Sequence, residues 1–276
     1  INRVLTSTLK LAAAAPVLQL PPMPGSGDEE LRAWHVECLR VQHESIPDAL
    51  SGKRLDTLND CVPIAISGKD AAGRPLAGVR DASGLAAWLQ SLRGEGALIT
   101  AEPAAGKTWL LSQVIVRCLE SARVPILIKV EQLQTRWAEV AKKEDWLSAY
   151  LELTCAPAHC ASLRAALEER TALVLLDGLD EAGVARARVE RHVTEVLHPR
   201  GHLLVCTSRP AGLNAALFGG FHRLQLAPLS EAQQAEALRR RLGRERTAAL
   251  LQFVRGAVPR DGEGPHRLTA SPLLLS

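Results

Sequence analysis

Aromatic side chains are scarce, at 3% of 276 residues, so a core in this chain has to be assembled from Leu, Val and Ala. Long apolar runs are absent as well. The N-terminal stretch 9–20 is interrupted by Lys10, Pro16 and Gln19 and falls short of the roughly 20 residues that span a bilayer, although it has the character of a targeting segment. The six cysteines, at positions 38, 61, 118, 155, 160 and 206, follow no spaced framework. That excludes a disulfide scaffold and fits a reducing, cytoplasmic setting. Cys155 and Cys160 flank His159, but no second ligand pair follows at zinc-site spacing. Charge of one sign is also lacking: the net charge is +3, too small to argue for nucleic acid. The basic cluster Arg239–Arg241, with Arg244 and Arg246, lies in an Ala- and Leu-rich helical stretch and reads as a solvated face. Neither nucleic-acid nor membrane contact is expected. The remainder, 47% hydrophobic and 23% charged, is that of an ordinary globular protein.

Against this background one segment stands out. The apolar run Ala97–Thr100 leads into Ala101-Glu102-Pro103-Ala104-Ala105-Gly106-Lys107-Thr108, and Trp109–Val116 continues as a helix. A strand, a tight loop and a Gly-Lys-Thr that opens a helix form the context of a phosphate-binding P-loop. Loop N–H groups and the positive end of the helix dipole would converge on phosphate oxygens. Lys107 would bridge the β- and γ-phosphates, and the Thr108 hydroxyl would hold Mg2+. Ala101 stands where the strict pattern has glycine, whose freedom at positive φ lets phosphate approach closely.

A second segment strengthens that reading. Thr171–Leu176 is apolar without alternation, as suits a strand buried on both faces of a parallel sheet. It ends in Asp177-Gly178-Leu179-Asp180-Glu181. Clustered carboxylates repel one another unless a cation neutralises them. Asp177 is the candidate metal ligand, acting through water. Asp180 and Glu181 are placed to polarise an attacking water. A third buried run, 201–207, ends in Thr207-Ser208-Arg209-Pro210, where the Arg209 cation would face the same crevice and report on the γ-phosphate.

Five strands are predicted, at about 97–101, 125–130, 171–177, 202–207 and 221–226, separated by helical sequence. That alternation predicts βαβ crossovers and a three-layer α/β fold with a five-stranded parallel sheet. A short strand at 61–66, a turn at 69–74, and helices at 28–45 and 83–92 precede it. Residues 1–28 read as an N-terminal segment and Pro/Gly linker, 29–95 as a helical lead-in, 96–228 as the core and 229–276 as the start of a helical subdomain. Ser230 is expected to cap a helix running through Arg241. The chain begins at Ile1, not Met, and stops within an apolar run, so sensor and effector segments outside it are expected.

The segments ALITAEPAAGKTWLL, ALVLLDGLDE and HLLVCTSRP, in that order, resemble the NACHT family of STAND signalling NTPases. The resemblance covers about residues 60–276. Phe221–Leu226 followed by Ala227–Glu231 looks like the family's last core strand and helical subdomain, and Leu268–Leu275 looks like its Pro-Leu motif. Alanines at 101 and 105 and Trp109 depart from the family's usual residues. The resemblance implies a P-loop NTPase that works as an ATP/ADP switch and self-associates on activation. It implies nucleotide contacts along Glu102–Trp109, a sensor role for Arg209 and an adenine contact at Pro272. It also implies that the strand ending at Thr207 lies between the P-loop strand and the Asp177 strand. Two other readings compete. One is an AAA+-like motor, with Arg186, Arg188 or Arg191 as the arginine finger. The other is a scaffold with a degenerate P-loop that no longer needs nucleotide.

Overall fold

The computed structural model describes residues 18–25, 27–48 and 54–257. A six-stranded sheet runs through its centre. Its strands are β3 (Ile66–Lys69), β4 (Gly96–Thr100), β5 (Val124–Lys129), β6 (Ala172–Asp177), β7 (Leu203–Ser208) and β8 (His222–Leu226). The spatial order is β3-β8-β4-β7-β6-β5. β8, β4, β7, β6 and β5 are mutually parallel, and β3 pairs with β8 in the antiparallel sense. Each of the five predicted parallel strands is present within about a residue of its expected limits, and β7 does lie between β4 and β6. The sixth strand was not expected. Residues 61–65, read as a strand, enter the sheet only from Ile66 onward, because Pro63 has no N–H to give a ladder. The stretch read as a helical lead-in thus contributes an edge strand to the same sheet. A separate small hairpin joins β1 (Ser45–Pro47) to β2 (Arg54–Asp56).

The unbroken apolar runs explain why the sheet is covered on both sides. Along β6, Ala172, Val174 and Leu176 belong to one buried cluster, while Leu173 and Leu175 belong to the other. β7 divides in the same way, Leu204 and Cys206 against Leu203 and Val205. Successive side chains of a strand point to opposite faces, so a run that is apolar at every position needs a helical layer on each. The first layer contains α1 (Asp28–His43), α2 (Ala82–Ser91) and α3 (Lys107–Cys118), which bury Leu39, Leu85, Leu89, Leu110, Leu111 and Val114. The second contains α4 (Val130–Thr135), α5 (Trp137–Val140), α6 (Trp146–Thr154), α7 (Pro157–Glu168) and α8 (Arg186–His192). α2 begins where the Asp81 carboxylate accepts from the Gly84 N–H at 2.9 Å. Asp145 caps α6 through the N–H groups of Leu147 and Ser148. Among the described residues, no helix is long and apolar enough to cross a membrane.

β8 alternates buried and exposed residues, and after it the chain turns helical as the sequence indicates. Ser230 caps α9 (Glu231–Leu242) in a capping box with Gln233, and α10 (Arg244–Ala257) follows. A small cluster of Leu229, Ala237 and Leu238 fastens this part to Val62, and Gln233 Nε2 donates to Pro63 O at 2.8 Å. Arg239 and Arg240 both pair with Glu236 on the α9 surface.

One close approach at the core is decided by a missing side chain. A Cβ on Gly96 would lie 2.3 Å from the Phe221 ring, and Phe221 is 1% exposed and packed on Phe218. Gly96→Ala should destabilise the fold by about 1–3 kcal/mol through overpacking, read as a lowered denaturant midpoint at unchanged slope.

Candidate functional site

The loop that follows β4 carries its conformation in two residues. Ala104 (φ 60°) and Gly106 (φ 91°) are left-handed, whereas Ala101 and Ala105 are not among the positive-φ residues. The glycine missing at position 101 is therefore not required by the backbone there. Ala101 is 2% exposed, and its N–H donates to Ser208 O at 3.2 Å, extending the β4–β7 ladder by one bond. The strain falls on Ala104, an L-residue in a region that favours glycine. Nothing in the sequence pattern points to that position. Residues alternating into the left-handed region turn successive N–H groups inward to form an anion-binding concavity. Gly106 leads directly into α3, whose N-terminus adds its partial positive charge.

Lys107 folds back over this loop. Its Nζ donates to Ala101 O at 3.2 Å and to Glu102 O at 3.5 Å. Burial holds the ammonium pKa below its ordinary value, and the Asp180 carboxylate opposes that shift. The next residue connects the loop to β6. Thr108 Oγ1 donates to Asp177 Oδ2 at 2.7 Å. Thr207 Oγ1, at the end of β7, donates to Asp177 Oδ1 at 2.7 Å and accepts from the Gly178 N–H at 2.8 Å. The order of β4, β7 and β6 makes this chain of contacts possible: the strand lying between the loop and Asp177 supplies the hydroxyl that orients the carboxylate. Sequence reasoning did not single out Thr207 for that task.

The other acids occupy distinct environments. Asp180 is held by Arg209 in an Nε–Oδ2 ion pair of 2.9 Å, and the Arg209 N–H donates to Asp180 Oδ1 at 2.9 Å. Glu181 lies against Gly178, where an added Cβ would approach Glu181 Oε2 to 2.7 Å. Partial desolvation, then the charges of Asp180 and Asp177, push the Glu181 carboxyl above the ordinary carboxylate range. Arg186 secures the segment after β7, donating to Ala211 O at 3.1 Å while paired with the buried Glu190 at 2.8 Å.

A cavity of about 410 Å3 opens at this end of the sheet. Ala104, Ala105, Gly106, Lys107, Thr108, Trp109, Glu181 and Arg209 line it. Asp177 reaches it through Thr108, and Asp180 stands behind Arg209. Glu102 and Pro103 are exposed at the loop, and Pro272 lies outside the described residues. The opposite wall comes from the β1–β2 hairpin, as Ile46, Pro47 and Leu55. No motif marks those three residues; a short apolar alternation far from the loop in sequence was the only available signal. Trp109 donates from Nε1 to Cys61 Sγ at 3.1 Å, which ties the start of α3 to the chain leading into β3.

The donor set suits a triphosphate with Mg2+. A hydroxyl and a carboxylate oxygen are hard ligands on one side of a cavity large enough for a small molecule. No three His, Cys, Asp or Glu side chains converge in metal-holding geometry among the described residues. That matches an ion bound by one or two protein oxygens and completed by phosphates and water.

The three-layer sheet, the loop after its central strand β4 and the acidic end of β6 define the P-loop NTPase fold. No family model matches the chain, and no curated protein matches its sequence. Solved structures do match. PCH-2 from C. elegans aligns at 13% identity with a TM-score of 0.38, covering 66% of this chain and 48% of that one. AMPPCP-bound DnaA from Aquifex aeolicus aligns at 16% identity and a TM-score of 0.42, covering 62% and 54%. A signal transduction ATPase with numerous domains (STAND) and a tetratricopeptide repeat sensor, from Pyrococcus horikoshii, aligns at 13% and 0.35, covering 63% and 28%. The chain spans less than two thirds of the length of each of these.

Proposed function

We propose that this chain is the nucleotide switch of a NACHT-type STAND signalling protein, binding ATP or ADP with Mg2+ and hydrolysing ATP slowly. The observation that carries the reading is the meeting of the Lys107 ammonium, the Thr108 hydroxyl and the Asp177 carboxylate at one cavity, although they lie up to 70 positions apart in sequence. Loop N–H groups and Lys107 receive the β- and γ-phosphates, and Thr108 with Asp177 holds the ion. Bound Mg2+ supplies charge neutralisation along the triphosphate. Glu181, with its raised pKa, orients and deprotonates water. Arg209 is latched by Asp180 in this state, and exchange of that carboxylate for a γ-phosphate would make it the sensor. The apolar wall of Ile46, Pro47 and Leu55 suits a base, with Pro272 as a further adenine contact. In this reading the protein acts in the cytoplasm, self-associates on activation, and works with sensor and effector segments outside this chain.

The proposed boundaries are those read from sequence, with a core at 96–228 and a helical subdomain from 229. A motor-type reading finds less support. Arg186 is paired with Glu190, and Arg188 donates to Ala141 O at 3.2 Å and lies 5.3 Å over the Trp137 ring, so both candidate fingers are engaged within the chain. The test is a titration of ATP with Mg2+ combined with steady-state phosphate release. Saturable binding with turnover below about one per second is expected. Faster sustained turnover selects a motor ATPase, and a folded protein with no affinity selects a scaffold.

A further inference from the structure

At the far end of the sheet, below the N-terminal ends of β4, β5, β6 and β7, lies a second cavity of about 530 Å3. It shares no lining residue with the P-loop cavity. Three arginines line it, Arg93, Arg123 and Arg170, with Glu169 as the acid among its lining residues. Glu169 is already paired with Arg32 at 2.9 Å, and Arg32 is not part of the lining. The guanidinium charges are therefore not neutralised from within the cavity.

The arginines are held in place unequally. Arg123 donates from Nη2 to Leu92 O at 2.5 Å and from Nη1 to Arg170 O at 3.0 Å. These two bonds fix the plane of its guanidinium and leave Nε without a protein acceptor among the described residues. Arg170 donates from Nη1 to Leu167 O at 2.5 Å. Arg93 is exposed and has no hydrogen-bond or ion-pair partner among the described residues. Two rigid guanidinium groups and one free one around a single concavity form the donor geometry that recognises phosphate oxygens bidentately.

The backbone supplies an independent observation. Arg170 follows α7 at φ 60°, the left-handed position after a helix that glycine usually fills. A glycine there would carry no strain, yet the residue present places a guanidinium in the cavity. Gly94 (φ 71°) and Gly201 (φ 77°) border the same space. A Cβ on Gly94 would lie 2.7 Å from Gly201 O, so these two turns are drawn together to close one side. Local strain retained beside a cavity is characteristic of binding sites.

We propose that this arginine-lined cavity is a second anion site, separate from the P-loop, that takes a small phosphorylated molecule. Its ligand would bridge the entries of four strands whose other ends carry the P-loop and the acidic motif.

Inorganic pyrophosphate is the probe, titrated into the Lys107→Ala protein so that the P-loop contributes little. Saturable binding is expected by calorimetry and as a raised melting temperature. Adding Arg170→Gly, which removes the guanidinium while relieving the backbone, should weaken that binding at least tenfold in a protein that still folds. Adding Arg93→Ala, at an exposed position, should do the same. Absence of pyrophosphate binding to the Lys107→Ala protein at millimolar concentration overturns the proposal, as does affinity unchanged in both double variants. Neither outcome touches the P-loop reading, which is tested on the unsubstituted protein with ATP.

Discussion

Lys107→Ala should abolish the stabilisation that ATP and Mg2+ confer while leaving the ligand-free protein nearly as stable as before. At a hundredfold excess of ATP over its dissociation constant, binding adds about 2.7 kcal/mol to the folded state. For a chain of this size that corresponds to roughly 5–10 °C in melting temperature. The ammonium already lies over the loop, bonded to Ala101 O and Glu102 O. A phosphate would thus replace two carbonyl contacts with charge-assisted ones, about twice as strong as neutral bonds. Loss of the side chain leaves those carbonyls in a partly exposed loop, where water satisfies them, so the cost without nucleotide is small. A Lys107→Ala protein that gained the same melting shift as the parent would remove this residue from the phosphate site.

Acid should destabilise the protein well before the carboxylates titrate. His43 and His202 are 8% and 7% exposed, and each has its pKa lowered to about 4. Burial is the largest cause for both, followed by Lys129 beside His43 and Arg170 beside His202. In the unfolded chain both return to about 6.5. As pH falls below that value the unfolded state binds protons that the folded state refuses, and stability falls with it until about pH 4. Between pH 7 and pH 5 the two rings together should cost about 4 kcal/mol. The Asp145 carboxylate acts at still lower pH. His192, which hydrogen-bonds it, is the main cause holding it well below the carboxylate range, so its contribution is lost only as pH drops beneath the ordinary Asp value. Urea melts at pH 7 and pH 5 read the effect directly. Equal stability at both would mean that the rings are not buried in the neutral form. His43→Gln, which lacks a titrating group, should shrink the difference by about half.

Much of this molecule was legible before folding, for identifiable reasons. Runs such as Thr171–Leu176 and Leu203–Thr207 are apolar at every position, and only a sheet covered on both faces can absorb such a run. Ser230 with Gln233 marks a helix start because the cap is a local contact. Gly106-Lys107-Thr108 and the Asp177–Glu181 acids are similarly local, each confined to a few adjacent residues that one tight turn can arrange. The antiparallel strand β3 was missed because four residues at an edge, beginning at Ile66 and including a glycine, carry little pattern; its partner β8 lies more than 150 positions away.

Composition and local pattern were thus sufficient for the layers, the parallel strands and the two phosphate-site motifs, since each depends on neighbours within one turn or one strand. The rest required the chain to close on itself. The placing of Thr207 against Asp177, the hairpin wall of Ile46, Pro47 and Leu55, the latch of Arg209 on Asp180 and the arginines gathered under the strand entries all join residues from different elements. Short contacts of this kind depend on strand order and register, and hydrophobic periodicity, which says only which face of an element is buried, carries no information about which elements become neighbours.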